Sequence, residues 1–188
     1  MGTTDGLRGP EIWIRGPVTV PDPGQGQVPG RGPGRGPGST PYASAATPRR
    51  FSWVATHGGA GSSTLAAVYG GHDSGREWPG AGDPPSVLLV ARTHAAGLES
   101  VLRALEVFRR GAAPAGLDLD SVVLVADAPG RLPRPLAQRV RAIESVIDVY
   151  RVPWVTDWRL GDLGGSPPRE TAPLARLTGA GTAGGRVR

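Results

Sequence analysis

The sequence predicts an α/β fold, in which a small, mostly parallel sheet lies between helices in three layers. Residues 87–91 and 122–126 are continuous apolar runs, which are typical of strands buried on both faces of a parallel sheet. Segments between these runs carry apolar residues at helical spacing. This alternation of strands and helices favours right-handed crossovers and an open parallel sheet.

The predicted elements follow one another from residue 51 to residue 152. Residues 51–56 predict the first strand, and residues 62–69 predict a short helix after it. The segment 70–85 is rich in Gly, Asp and Pro and is predicted to be a long loop. The remaining elements, in order, are a strand at 87–91, a helix at 93–110, a strand at 122–126, a helix at 135–147 and a strand at 148–152.

Composition divides the chain of 188 residues into three parts, because its 30 Gly and 20 Pro are concentrated towards the two ends. Residues 1–48 are predicted to be a disordered arm, residues 49–162 the folded domain, and residues 163–188 a disordered tail. The arm contains one apolar segment, which begins at Glu11 and ends at Val20. This segment is predicted to dock either on the domain itself or on a partner protein.

Charge and residue usage exclude several classes of protein. The 21 basic residues are all arginine and the net charge is +5, which a GC-rich genome explains and which leaves a nucleic-acid partner as the alternative interpretation. The sequence contains no cysteine, so disulfides and thiolate metal sites are excluded. Because no apolar run reaches the roughly 20 residues that span a bilayer, we expect a cytoplasmic protein.

A glycine-rich turn joins the first predicted strand to the first helix. Glycines allow a turn in which backbone N–H groups point at one anion, and the start of a helix adds to the attraction. Hydroxyl residues follow the turn, where they can bind a phosphate or its metal ion. The predicted cofactor-binding residues are Gly58, Gly59, Ala60, Gly61, Ser62, Ser63 and Thr64.

This turn resembles the deviant phosphate loop of the ParA/MinD-type ATPases, which belong to the P-loop NTPases and read Lys-Gly-Gly-x-Gly-Lys-Thr-Thr. Gly58, Gly59 and Gly61 match that pattern position for position. Both lysines are replaced, by His57 and Ser62, and the chain contains no lysine at all. A less specific resemblance covers most of residues 51–160, and the chain is also similar to small actinobacterial proteins, some of them encoded near conjugation genes.

The resemblance implies that the ligand is ATP with Mg²⁺ and that Ser63 and Asp127 are the metal ligands. Asp127 opens an Asp-x-Pro-Gly turn after a strand, which resembles the metal-side element of these enzymes or, alternatively, a loop beside the base. Loss of the phosphate-binding lysine weakens binding by roughly ten- to hundred-fold, and it impairs catalysis further. Arg76 and Arg92 are the candidate replacements for that lysine.

Three functions are compatible with these residues. The preferred interpretation is a degenerate ParA/MinD-like protein, an accessory factor that binds a partner and hydrolyses nucleotide weakly or not at all. The alternatives are an active ATPase that uses arginine in place of lysine, and an interaction module of a conjugation or partition system that needs no cofactor. The partner protein is expected to dock through the segment from Glu11 to Val20 or through Trp154 and Trp158.

Overall fold

The computed structural model describes residues 50–180, which contain a five-stranded parallel sheet. The order of the strands across the sheet is β2-β1-β3-β4-β5, and every neighbouring pair is parallel. The predicted α/β class and parallel sheet are therefore confirmed. The strands are β1 (Ser52–Ala55), β2 (His72–Asp73), β3 (Ser86–Arg92), β4 (Asp118–Val125) and β5 (Val149–Val152).

Helices cover both faces of the sheet and complete the three layers. Side chains alternate between the two faces along each strand, so one sheet supplies two separate cores. One core contains residues of α1 and α5, and the other contains residues of α2 and α3. The helices are α1 (Ser62–Tyr69), α2 (Ala95–Arg109), α3 (Arg134–Glu144), α4 (Thr156–Arg159) and α5 (Ala172–Thr178), and a 3-10 turn at Arg169–Thr171 leads into α5.

The predicted loop at residues 70–85 contains a short strand, β2, that lies at the edge of the sheet. The strand has only two residues, with Ser52 paired to His72 and Trp53 paired to Asp73. The ring nitrogen of Trp53 donates to the carbonyl oxygen of Gly70 at 2.7 Å, which fixes the approach of the chain to this edge. Backbone pairing rather than an apolar pattern makes this strand, so no pattern in the sequence predicts it.

The folded domain extends beyond the boundary predicted at residue 162. The 3-10 turn and α5 lie in the segment predicted to be tail, and Leu174 is buried in the core that also contains α1. The hydroxyl of Tyr69 donates to Oγ1 of Thr171 at 2.6 Å, which ties this segment to α1. Residues 163–178 therefore belong to the domain, whereas the predictions for residues 1–49, including the segment from Glu11 to Val20, and for 181–188 concern residues outside those described.

Length and hydropathy of the helices bear on membrane insertion. Between residues 50 and 180, no helix combines the length and the apolar character that a membrane span requires.

Candidate functional site

The candidate site lies where the direction of the strand order reverses. The chain passes from β1 to β2 on one side and then crosses back to β3 on the other side of β1. Open parallel sheets bind ligands at such a switch point, outside the carboxyl ends of the strands. The glycine turn follows β1, Asp73 ends β2 and Arg92 ends β3, so these three features meet at that edge.

The glycine turn leaves the start of α1 without a capping side chain. Gly59 and Gly61 have φ values of 72° and 105°, a left-handed conformation that strongly favours glycine. Gly61 is the N-cap of α1, and no side chain of the described residues accepts a hydrogen bond from the first turn there. Ser62, Ser63 and Thr64 form that first turn. The predicted binding residues therefore form one turn and one helix start, an arrangement suited to an anion.

His57 is built into the base of the turn by hydrogen bonds to the backbone. Its Nε2 lies 3.0 Å from the backbone nitrogen of Arg92, whose N–H it accepts, so its proton is on Nδ1. That Nδ1 lies 2.9 Å from the carbonyl oxygen of Gly58, to which it donates. His57 thus supports the turn through hydrogen bonds to two backbone groups.

The base of the turn is also attached to α2. Oγ1 of Thr56 lies 2.7 Å from Oγ of Ser100, and it donates to the carbonyl oxygen of Val90 at 3.2 Å. The ring of His57 lies 4.9 Å from that of His94, the N-cap of α2. The position of the turn is therefore coupled to the position of this helix.

Arg92 places a cation beside the turn. Its Nε donates to the carbonyl oxygen of Gly59 at 3.0 Å. Its Nη1 is buried and has no hydrogen-bond partner within the described part of the chain. A buried guanidinium N–H without an acceptor is costly, so an anionic ligand that reached this atom would supply the missing acceptor. Arg76, the other candidate, is exposed in the loop after β2.

A small cavity of about 70 Å³ lies between Arg92 and the start of α1. Gly61 and Thr64 line it on one side, and Arg159 of α4 lines it on another. Arg159 donates from Nη2 to the carbonyl oxygen of Ala126 at 3.0 Å, and partial burial lowers the pKa of its guanidinium. Two arginines thus line a space of about the size of one phosphate group.

Asp73 is a site residue that the sequence did not reveal. Burial alone would raise the pKa of its carboxyl, but hydrogen bonds from the Ser63 hydroxyl, the Gly75 N–H and the Ser62 hydroxyl lower it overall. The carboxylate therefore lies against the first turn of α1. The only available signal was an acidic residue in a Gly-rich loop, and a parallel pairing across two strands brings it to the site.

The predicted metal pair of Ser63 and Asp127 lies on different parts of the sheet. Asp127 follows β4, which is separated from β1 by β3, so about 10 Å of sheet lies between the two strand ends. The acidic side chain whose pKa the Ser63 hydroxyl lowers is instead Asp73. Within residues 50–180, no three His, Asp or Glu side chains cluster as metal ligands do. A Mg²⁺ ion held here would therefore depend on oxygens from its ligand.

A larger cavity of about 660 Å³ lies beyond β4 and β5. The loop that contains Asp127 forms one wall, and Val152 with Pro153 forms another. Pro153 also lines the small cavity, so the two cavities are neighbours along the same edge. Most of the lining is apolar, as in binding sites for organic ligands.

Trp154 and Trp158, the predicted partner surface, both make contacts inside the domain. The ring of Trp158 packs edge-on against Tyr69, with 6.3 Å between ring centroids. The guanidinium carbon of Arg159 lies 4.3 Å from the centre of the Trp154 ring. Both tryptophans are half-buried, so each still exposes part of its surface.

Comparison with known protein families finds a family whose function is unknown. The model of a family of unknown function, DUF6668, matches residues 51–176, which is more than half of the chain. The matched span begins just before β1 and ends within α5, so it contains the sheet, the glycine turn and the lining of both cavities. No curated protein and no solved structure gives a significant match.

Proposed function

We propose that this chain, which belongs to the DUF6668 family of unknown function, binds a nucleotide through its glycine turn and hydrolyses it weakly or not at all. In this proposal the protein is a ParA/MinD-like accessory factor whose nucleotide, with Mg²⁺, governs its binding to a partner protein. The phosphates lie at the start of α1, and the base lies in the larger cavity next to it.

The buried Nη1 of Arg92 is the observation that carries the proposal. It is a cationic donor without an acceptor, beside a helix start whose N–H groups have no capping side chain. A charge-assisted hydrogen bond to phosphate contributes about 1.5–3 kcal/mol. A lysine makes such a bond at this place in the resembled ATPases, and Ser62 cannot make it. Arg92 therefore compensates in binding for Ser62, although it approaches from β3 and not from the turn itself.

The same geometry supports slow hydrolysis. Phosphoryl transfer needs cations placed around the charge that develops on the transferred group. Position 62 offers only a hydroxyl, which faces Asp73, and Nε of Arg92 is already used by the carbonyl oxygen of Gly59. Because Arg92 is held by this hydrogen bond, its guanidinium cannot move to follow the charge that develops in the transition state. We therefore expect Arg92 to contribute to nucleotide binding more than to hydrolysis.

Nucleotide titration with matched arginine variants tests this function. The full-length chain is titrated with fluorescent ADP and ATP analogues in the presence of Mg²⁺, and phosphate release is measured in parallel. We expect saturation for the wild type and roughly ten- to hundred-fold weaker binding for Arg92→Gln. Arg76→Gln makes the same charge change on an exposed side chain and should bind as the wild type does.

A gain-of-function variant keeps the test independent of the stability of the turn. Ser62→Lys restores the cation at the start of α1, so it should tighten binding of the triphosphate by roughly ten-fold or more. If the wild type does not saturate at millimolar nucleotide and Ser62→Lys changes nothing, the proposal is wrong and the interaction module is favoured. If the wild type releases phosphate rapidly, the active ATPase is favoured.

A further inference from the structure

We infer that the site selects a nucleotide with a single phosphate group, a nucleoside monophosphate, because the glycine turn and Arg92 bind one phosphate while Asp73 opposes any further phosphate. This inference rests on the proposed function, since the phosphate belongs to the proposed nucleotide. The resemblance to the ParA/MinD-type ATPases implies a triphosphate, so the inference departs from it in the number of phosphates.

The parts of the site follow one another along the edge of the sheet in the order of its strands. The larger cavity lies beyond β4 and β5, and the small cavity adjoins it, since Pro153 lines both. Arg92 at the end of β3 and Gly61 at the start of α1 line the small cavity. Asp73 ends β2, on the other side of β1. A nucleotide whose base lies in the larger cavity therefore places its first phosphate in the small cavity, and a second or third phosphate extends towards Asp73.

The small cavity has the volume and the donors for one phosphate. Its volume is about 70 Å³, and Leu65, Val125 and Trp158 line the wall away from the turn. The first turn of α1 has no capping side chain from the described residues, and Arg92 carries the buried Nη1 that has no acceptor among them. The donors that the fold leaves unused thus belong to residues at this one position along the edge.

The other side of the turn carries a carboxylate. The Gly75 N–H donates to Oδ1 of Asp73 at 3.0 Å, which holds this side chain at the end of β2, and α1 packs beside that strand. Hydrogen bonds from the hydroxyls of Ser62 and Ser63 lower the pKa of the carboxyl, so it is ionised at neutral pH. A hydroxyl has one hydrogen to donate, so these two serine hydroxyls are used by Asp73 and do not donate to a phosphate.

The charge on Asp73 acts against a longer chain of phosphates. No arginine between residues 50 and 180 forms an ion pair with this carboxylate. Two negative groups repel one another strongly at short distance when no cation lies between them. A second phosphate meets that repulsion, whereas the first phosphate lies beside Arg92. Because Mg²⁺ offsets the repulsion, the selection is strongest when Mg²⁺ is absent.

Titration with three nucleotides of the same base tests the inference. The full-length chain is titrated with AMP, ADP and ATP by calorimetry, once with EDTA and once with Mg²⁺. With EDTA we expect AMP to bind roughly three- to ten-fold more tightly than ADP or ATP, and we expect Mg²⁺ to narrow the difference. Asp73→Asn removes the charge and keeps the shape of the side chain, so it should tighten ADP and ATP by roughly that factor and leave AMP unchanged. Asp118→Asn, at the opposite end of the sheet, is the matched control and should change none of the three affinities.

The outcomes separate the number of phosphates from nucleotide binding itself. If ADP or ATP binds the wild type ten-fold more tightly than AMP in either condition, the inference is overturned while nucleotide binding stands, and this comparison needs no variant. If Asp73→Asn changes all three affinities by the same factor, the carboxylate does not count phosphates and the inference is again overturned. If none of the three nucleotides binds, the proposed function fails and the inference fails with it.

Discussion

Asp73 shows how a single side chain can belong to the site without belonging to any motif. Its pKa is lowered in the fold because hydrogen bonds from Ser63, the Gly75 N–H and Ser62 outweigh the effect of burial. A carboxyl whose pKa is lower in the folded state contributes stability above its unfolded value, and that contribution disappears as the pH falls through the folded value. The unfolded value of an aspartate is about 3.9.

We therefore expect Asp73→Asn to lower the melting temperature at neutral pH. The melting temperature of this variant should also depend less on pH in the acidic range. The wild type should lose stability as the pH falls below about 4, because the carboxylate is then protonated. The variant cannot lose that contribution, so its curve should be flatter over the same interval. Thermal unfolding from pH 7 down to pH 2 measures both effects. Asp118→Asn serves as the control, and a curve for Asp73→Asn parallel to that of the wild type would contradict the assignment.

Individual residues also mark the limit of what the sequence reveals about the site. The glycine turn can be located from the sequence alone, because a left-handed backbone favours glycine at particular positions. Gly59 and Gly61 have that conformation. Arg92 was one of two candidates, and only the position of β3 next to β1 distinguishes it from Arg76. His57 stands where the resembled ATPases have a lysine, whereas its two hydrogen bonds make it a support of the turn.

Among the elements, predictability follows burial. The central strands β3 and β4 were predicted because each contains a continuous apolar run, at residues 87–91 and 122–125, that is buried on both faces of the sheet. The two-residue strand β2 was not, because its place depends on backbone pairing with β1. The helix α5 was not predicted either, since it is short, lies among Gly and Pro residues and has only Leu174 and Thr178 fully buried, which is too few for a repeated apolar pattern.

The approach of α2 to the site depends on a residue without a side chain. Gly97 lies in the first turn of α2, where a Cβ would overlap the carbonyl oxygen of Arg92 and lie 3.0 Å from Nε2 of His57. Alanine is normally the better helix residue by about 1 kcal/mol. Here that gain is opposed by a backbone contact that cannot move without moving β3 or α2.

We expect Gly97→Ala to lower the free energy of unfolding, although it raises helix propensity. Overpacking of this kind costs about 1–3 kcal/mol, which exceeds the gain in propensity. Chemical denaturation of the variant and the wild type measures the difference. Gly82→Ala is the control, because a Cβ at that loop position meets nothing within 4 Å. A stabilised Gly97→Ala variant would show that α2 does not pack so closely against the site.

At the scale of the whole molecule, the domain needs its last helix. Leu174 and Thr171 are buried, and the hydrogen bond between Tyr69 and Thr171 connects segments 102 residues apart. Glu170 and Leu174 also line the larger cavity. The C-terminal segment therefore contributes both to the core beside α1 and to the candidate base site.

Two truncations test the extent of the domain. A chain that ends at residue 162 should lose at least about 2–5 kcal/mol of stability, the usual effect of removing a buried leucine alone, and should expose the core around Tyr69. A chain that ends at residue 180 retains α5 and should unfold as the full-length protein does. Circular dichroism and thermal unfolding compare the two. Equal stability of both truncated chains would restore the boundary at residue 162.

The hydroxyl pair of Thr56 and Ser100 has a mechanical consequence. It joins the end of β1 that leads into the glycine turn to α2, a helix of 15 residues and about 22 Å. Near the far end of that helix, Phe108 meets the ring of Trp78 edge-on, with 5.2 Å between centroids. A shift of α2 that accompanied a change in the turn would alter the surroundings of the Trp78 ring, so we expect Trp78 fluorescence to report such a shift.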